Sequence, residues 1–354
     1  MERKATRRIM LGGVPIGGGA PVSVQSMTNT DTRDVATTLA QIRELECAGC
    51  QIVRVAVPDA ESSEALGAII EGARVPVVAD LHFDWRLAFL VMEQGVAGIR
   101  INPGTIAKKA RVREIAAEAA RRGVAVRVGV NSGSLERRHL GTSRKAEASA
   151  LAESALEGAA TIAAEGVQNL KISVKASDVV RTIEAYRLVS AATDWPLHVG
   201  LTEAGTLWSG TIKSAVGIGA LLAEGIGDTI RVSLTAAPVE EIRVGRKILA
   251  SLGLAEAGPE VISCPTCARA EIDVIDMATK VEAALEGVKA PLRVAVIGCT
   301  VNGPGEAREA DVGIAGGKEG GLLFVAGEMI RKVPADEMLD ALLAEVRLLA
   351  ERMD

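Results

Sequence analysis

Three cysteines have the type and spacing to hold a metal: Cys264 and Cys267 in "CPTC", and Cys299 in "GCTVNGPGE". A two-residue spacer at a strand end lets both sulfurs of the pair meet one centre. Structural zinc would usually complete a second pair or add histidine, yet the chain beyond residue 257 contains neither a His nor a fourth Cys. An iron-sulfur cluster accepts three thiolates and an oxygen, and Glu306, carried by the "NGPG" turn, is the natural fourth ligand. The competing reading is three buried, unreactive cysteines, which is common for one Cys and much less so for three at neighbouring strand ends.

A second set of residues is cationic. Arg54, Arg100, Arg127, Lys171, Lys175 and Arg231 fall toward the ends of short β-branched runs, with Asn102, Asn131 and Ser233 beside them. Residues two apart on a strand share a face, so Lys171, Ser173 and Lys175 project together. Cations gathered inside a ring of aliphatic strands repel one another and are costly to desolvate unless an anion or carboxylates compensate them. A ligand with more than one phosphate is the simplest compensation, because Arg offers forked donors to phosphate oxygens and Lys a point charge. The alternative is internal pairing with Asp80, Asp84 and Glu203. Glu203, in "LTEAG", also stands where a proton donor or acceptor could reach a ligand. His82 and His198 lie at strand ends with no metal-ligand spacing and are expected to be hydrogen-bonded; His139 reads as a loop residue. Cys47 and Cys50 repeat the C-x-x-C spacing, but at a helix end in front of a strand, and read as packing.

The elements that must position these side chains form a regular series. Between residues 22 and 234, "VSVQSM", "IVRVAV", "VPVVADL", "GIRINPG", "VAVRVGV", "NLKISVK", "PLHVGL" and "TIRVSL" alternate with helical patterns, such as 105–122 and 236–252. Strands apolar on both faces belong to a parallel sheet covered by helices. Eight such units predict a closed (β/α)8 TIM barrel, whose active site sits at the C-terminal strand ends. An open doubly wound sheet would carry a glycine fingerprint after its first strand, and "TNTDTRD" has none. "GGVPIGGG" precedes that strand and reads as a turn or small hairpin. After "SLGLAEAGPE" the pattern changes to a strand, a helix over 272–285, "LRVAVIGC", glycine-rich strands and a last helix. The expected domains are therefore 1–256, a substrate-binding TIM barrel, and 257–354, a small α/β iron-sulfur domain.

Composition narrows the classes. Residues are 48% hydrophobic but only 2% aromatic, so the core is built from Ala, Val, Ile and Leu, as in layered α/β packing. A formal charge of -5 and few stacking aromatics exclude a general pull toward nucleic acid or anionic membrane. No run is long and apolar enough for a bilayer span, and "MERKATRRIM" leads into no apolar signal core. An odd five cysteines argue for a reducing cytoplasm over a disulfide framework.

Taken together, "VQSMTNTDT", "ADLHFD", "RINPG", "GVNSGSLE", "LTEAG", "GIGDTIRVSL", "CPTCAR" and "GCTVNGPGEA" resemble the 4-hydroxy-3-methylbut-2-enyl diphosphate synthases of the non-mevalonate isoprenoid (MEP) pathway, in their two-domain bacterial form. The resemblance runs along essentially the whole chain. It implies a 4Fe-4S cluster on Cys264, Cys267, Cys299 and Glu306. It also implies diphosphate binding by Arg54, Arg100, Arg127, Asn131, Lys175, Arg231 and Ser233, with Glu203 near the reacting carbons. The implied reaction is a two-electron reductive ring opening of 2-C-methyl-D-erythritol 2,4-cyclodiphosphate with loss of water, fed by flavodoxin or ferredoxin. The expectation drawn for it is that the iron held by Glu306 exchanges that carboxylate for a substrate oxygen. Head-to-tail homodimers, with the cluster domain of one chain capping the partner barrel, are implied as well. Thr105 stands where the family commonly has Asn, and Cys47 and Cys50 are outside its pattern. The alternative is a non-redox phosphate-binding barrel lyase or synthase with a zinc-structured tail.

Overall fold

The computed structural model describes residues 2–82, 84–102, 106, 108–134, 143–255, 258–285, 287–300 and 309–353; Thr105, His139 and Glu306 lie outside these. The chain divides into two compact units, Met1–Ala255 and Glu256–Asp354.

The first unit opens with a hairpin, β1 (Ile9–Leu11) and β2 (Val14–Ile16), paired antiparallel. This is the "GGVPIGGG" region, and Gly12 at φ 56° makes its turn, where a Cβ would strike the Pro76 ring. Ile9, Leu11 and Ile16 pack on Ile52, Val78 and Ala125, closing the N-terminal end of the barrel with an apolar plug.

Eight parallel strands follow: β3 (Ser23–Met27), β4 (Ile52–Ala56), β5 (Val77–Asp80), β6 (Gly98–Ile101), β7 (Ala125–Asn131), β8 (Leu170–Lys175), β9 (His198–Val199) and β10 (Thr229–Ile230). They run in the order β8-β7-β6-β5-β4-β3-β10-β9, and a parallel bridge between Ile172 and Leu197 joins the two ends, so the sheet is the expected (β/α)8 barrel. The helices between them are α1 (Val35–Cys47), α2 (Ala60–Gly72), α3 (Leu87–Glu93), α4 (Lys109–Arg122), α5 (Arg144–Ala163), α6 (Val179–Ala192) and α7 (Leu207–Ala223), with α8 (Pro238–Ser251) last. Asp34, Asp59, Ser143 and Asp178 cap α1, α2, α5 and α6 through side-chain oxygens. Pro238, with φ already helical and no N–H to lose, starts α8.

Two-residue alternation divides each strand. Val53, Val55, Ile99, Ile101, Val126, Val128, Ile172 and Val174 turn outward into one core shared with the helices. The alternate positions, Arg54, Asp80, Arg100, Arg127, Lys171, Ser173 and Lys175, turn inward and are nonetheless buried. TIM-barrel interiors are ordinarily filled by branched aliphatics. Here that filling is confined to the plugged end.

The second unit is a five-stranded sheet ordered β11 (Glu260–Ser263), β12 (Arg293–Ile297), β13 (Val312–Gly317), β14 (Gly320–Val325), β15 (Glu328–Val333). The first three strands are parallel and the last pairs antiparallel. Helices α9 (Val274–Ala284) and α10 (Met338–Glu351) bury Val274, Val281, Met338 and Leu342 with Val294, Val296, Val312 and Ile314 of the sheet. Among the described residues, no helix is long and apolar enough to cross a membrane.

Candidate functional site

At the C-terminal strand ends of the barrel lies a cavity with about 470 Å³ of empty space, lined by Arg54, Asp80, His82, Arg100, Arg127, Asn131, Ser173, Lys175, Leu201, Thr202, Arg231 and Ser233. All seven positions expected to bind diphosphate, Arg54, Arg100, Arg127, Asn131, Lys175, Arg231 and Ser233, face it. They come from strands far apart in sequence, and register brings them level: Arg100 pairs with Arg127, and Asn131 with Lys175.

Two expected strands end early. The ladder of β10 stops at Ile230, so Arg231 and Ser233 sit on the extended segment beyond it, tied by the Arg231 N–H to the Val199 carbonyl at 2.9 Å. Gly200 permits a close approach beside it: a Cβ there would lie 2.3 Å from the Arg231 carbonyl oxygen and 2.7 Å from Lys175 Nζ. Gly129 makes similar room for Arg100, whose Nε is 2.8 Å from where its Cβ would be.

The charges do not cancel. Of the three carboxylates considered as counter-charges, Asp80 lies 3.4 Å from Arg100 Nη1 and 3.8 Å from Arg54 Nε, whereas Asp84 pairs with exposed Arg86 at 3.0 Å. Burial works against the Asp80 carboxylate, but Arg54 and Arg100 together hold it well below the ordinary carboxylate range. Burial, helped by repulsion from Arg231 and Arg100, lowers Arg54 to about 10, leaving it charged at neutral pH. Arg127, Lys171 and Lys175 are pushed down first by burial and then by their cationic neighbours. Arg127 Nε and Nη1 and Lys171 Nζ find no hydrogen-bond partner among the described residues. Folded proteins leave few buried polar atoms unpaired, so their concentration here marks an interior arranged for anionic oxygens.

Individual expectations fare differently. Lys171 is 1% exposed and sits one inward position below Ser173, so it does not line the cavity. Asn102 is buried just past β6. His82 Nε2 lies 2.8 Å from Arg100 Nη1; a guanidinium only donates, so the imidazole accepts. His198 is expected to be hydrogen-bonded, but neither ring nitrogen has a hydrogen-bond partner among the described residues, and burial with the charges of Arg127, Lys175 and Lys171 favours its neutral form. Glu203 is exposed, outside the cavity lining, with φ 52°. That left-handed backbone is uncommon for glutamate and marks a locally constrained turn in "LTEAG".

Glu241, on α8, was missed by the reading of strand ends. It accepts from Arg231 Nε and Nη2, each at 3.3 Å, from Ser26 Oγ at 2.8 Å and from the Leu234 N–H at 3.1 Å. The available signal was a carboxylate on the buried face of α8, in line with Gly245, Ile248 and Leu249.

In the second unit, "CPTC" follows β11 and Cys299 follows β12, and these strands are parallel neighbours with Ser263 opposite Val296. Cys264 Sγ accepts from the Gly298 N–H at 3.1 Å, and Cys299 is buried while Cys267 is exposed. Three sulfurs at one end of two paired strands, one already taking a backbone N–H as cluster sulfurs do, fit an iron-sulfur donor set. Among the described residues no group of three or more His, Cys, Asp or Glu is drawn together as a metal site. Cys50 is buried, donates to the Ile52 carbonyl at 3.1 Å and has its thiol pushed up to about 11, chiefly by burial, as packing requires.

Comparison with known proteins follows the same division. The GcpE TIM-barrel domain matches residues 6–246, and the GcpE protein C-terminal domain matches 260–348. A 4-hydroxy-3-methylbut-2-en-1-yl diphosphate synthase (flavodoxin) of Geobacter sulfurreducens is 56% identical over 98% of this chain and 99% of its own length. Synthases of the same name from Salinispora arenicola (55%; 99% of this chain, 90% of theirs) and Clostridium acetobutylicum (52%; 98% and 99%) are also similar. Among solved structures, the dihydropteroate synthase of Stenotrophomonas maltophilia overlays with a TM-score of 0.51 at 15% identity, covering 69% of this chain and 99% of its own. At that identity the likeness shows the barrel fold alone.

Proposed function

This chain belongs to the GcpE family, and on that premise we propose that it is a 4-hydroxy-3-methylbut-2-enyl diphosphate synthase working in the cytoplasm. The reaction takes 2-C-methyl-D-erythritol 2,4-cyclodiphosphate, two electrons and two protons to the linear allylic diphosphate and water. The observation that carries this reading is the cavity whose buried cations outnumber its carboxylates.

Arg54, Arg100, Arg127, Lys175 and Arg231 hold the diphosphate by charge-assisted hydrogen bonds, and Asn131 and Ser233 add neutral donors. Because Arg54, Arg100, Arg127 and Lys175 are buried in the fold before the ligand arrives, little reorganisation accompanies binding. Asp80 keeps Arg54 and Arg100 in place. Glu203, on its constrained turn, is assigned to proton transfer near the reacting carbons. Residues 1–256 form the substrate domain and 257–354 the redox domain. In the latter, Cys264, Cys267, Cys299 and Glu306 would hold a 4Fe-4S cluster, which when bound supplies electrons one at a time. The relatives' names specify flavodoxin as donor, and the same role is assigned here to flavodoxin or a ferredoxin. The assembly proposed is a homodimer in which each cluster domain serves the partner barrel.

The test is anaerobic turnover of the cyclic diphosphate with a chemical reductant by reconstituted protein, with Glu306→Ala beside it. Formation of the allylic diphosphate is expected, and its loss in the variant. One zinc, no sulfide and no product would overturn the reading.

A further inference from the structure

Arg231 stands on extended chain beyond the last ladder bond of β10, among Arg54, Arg127 and Lys175, all of which repel it. Left to itself, such a side chain would swing toward solvent. Glu241 opposes this from outside the cavity, where it is 4% exposed and lines no part of the binding space. Its acceptor positions are all engaged. Oε1 takes Arg231 Nη2 and the Leu234 N–H; Oε2 takes Arg231 Nε and the Ser26 hydroxyl. One carboxylate in the first turn of α8, where a negative charge is favoured, thus ties together β3, the segment after β10 and the helix.

We infer that Glu241 is the positioning residue of the diphosphate site, holding Arg231 by its Nε–Nη2 edge so that Nη1 addresses the ligand. This rests on the function proposed above. The placement differs from that of Asp80 in a useful way. Asp80 lines the cavity, so its oxygens face any anion bound there, whereas Glu241 balances a cation from behind and presents no acceptor to phosphate.

Two effects of removing the charge oppose each other, and this makes the inference testable. Glu241→Gln makes the cavity more positive, which by itself would tighten anion binding. It also puts an amide NH2 against donors that need an acceptor, releasing the Arg231 fork. If positioning dominates, binding weakens.

The experiment is calorimetric titration of the reconstituted enzyme and its variants with the cyclic diphosphate and, separately, with inorganic pyrophosphate. For Glu241→Gln, Kd for the cyclic diphosphate should rise about tenfold while kcat at saturation stays within about twofold. Glu241→Asp, which keeps the charge, should recover part of the loss. On an Arg231→Ala background, Glu241→Gln should add nothing, since its effect runs through that arginine. Ser26→Ala, removing one of the four contacts, keeps the test available if Glu241→Gln fails to fold, and should weaken binding about twofold. Unchanged or tighter binding by Glu241→Gln, or an equal loss on the Arg231→Ala background, would overturn the inference. Wild-type protein that ignores the cyclic diphosphate but binds pyrophosphate would sink the proposed function and leave the Arg231–Glu241 coupling measurable.

Discussion

The barrel interior and the cysteine-bearing end of the second sheet are prepared for their ligands in different ways. In the barrel, six cations, Arg54, Arg100, Arg127, Lys171, Lys175 and Arg231, are held by the fold, with Asp80 and Glu241 in direct contact with three of them. In the small unit the thiols are one buried, one half-buried and one exposed, and their segments meet through backbone hydrogen bonds and the Gly298 N–H donated to Cys264 Sγ. Like charges separate unless the protein fixes them, so an anion site must exist before its anion. Thiolates need only emerge from neighbouring strand ends, because metal binding itself supplies free energy to gather them. Changes in the two regions should therefore fail differently.

The largest effect is expected in the small unit. Replacing Cys299 by Ser takes away one of the thiols proposed to hold the cluster, and no other Cys or His of residues 257–354 can stand in for it, so iron and sulfide should fall together and reductive turnover should be lost. Diphosphate binding by the barrel should persist. Iron and sulfide assays beside calorimetry with pyrophosphate check both halves, and loss of pyrophosphate binding would break the contrast.

The next is Arg127→Met. Both Nε and Nη1 of Arg127 are buried and without a hydrogen-bond partner among the described residues, so an apolar side chain of similar length should raise Tm while Kd for the cyclic diphosphate rises roughly a hundredfold. Opposite movement of stability and affinity is the signature of a charge kept for a ligand. A fall in Tm would mean the guanidinium is a structural element after all.

The third concerns pH. In the unfolded chain Lys171 and Lys175 stay protonated up to about pH 10, whereas in the fold burial and their cationic neighbours lower both. Between the folded and unfolded values the unfolded state binds more protons, so stability should rise with pH, by at most about 1.4 kcal/mol per pH unit for each lysine. Lys171→Met should flatten that rise and stabilise the protein near neutrality, and saturating pyrophosphate should flatten it in the parent. Denaturation midpoints measured from about pH 7 to about pH 10 decide it, a flat parent profile being the contrary result.

How much of this was legible in the sequence depends on which distances the chain encodes. Strand period puts Arg100, Arg127 and Lys175 on inward faces, and parallel register levels them, so the strand-borne charges of the cavity could be read, although Leu201 and Thr202 of its lining were not. Depth could not: Lys171 and Lys175 share a face, yet one lines the cavity and the other lies beneath it. Nor could partnership across elements. Ser26 and Arg231 meet Glu241 only after α8 folds back on β3 and β10, and the full burial of the His198 ring, which leaves it without a hydrogen-bond partner among the described residues, depends on contacts across strands. The constrained backbone of Glu203 follows from turn geometry, for which "LTEAG" has a neighbouring glycine as its only hint.

The smallest effect sharpens the comparison most narrowly, because it sets identical spacing in two surroundings. Cys47 and Cys50 repeat the C-x-x-C of "CPTC", but Cys47 closes α1 while Cys50 turns into the barrel core. Cys50 donates its S–H to the Ile52 carbonyl, and burial, with Glu46 and Glu241 adding to it, raises its thiol to about 11, so no thiolate forms near neutrality. Cys47→Ser should therefore leave iron content, turnover and Tm unchanged, and Cys50→Ala should cost about 1 kcal/mol of stability, from one small buried group, with turnover intact. Alkylation of the native protein should modify Cys47 and spare Cys50. Spacing lets two sulfurs approach, but Cys264 and Cys267 emerge at an open strand end, with Cys267 exposed, whereas Cys50 is buried in the barrel core at the helix end before β4. Iron lost on Cys50→Ala, or a disulfide joining the pair, would show that spacing alone had been enough.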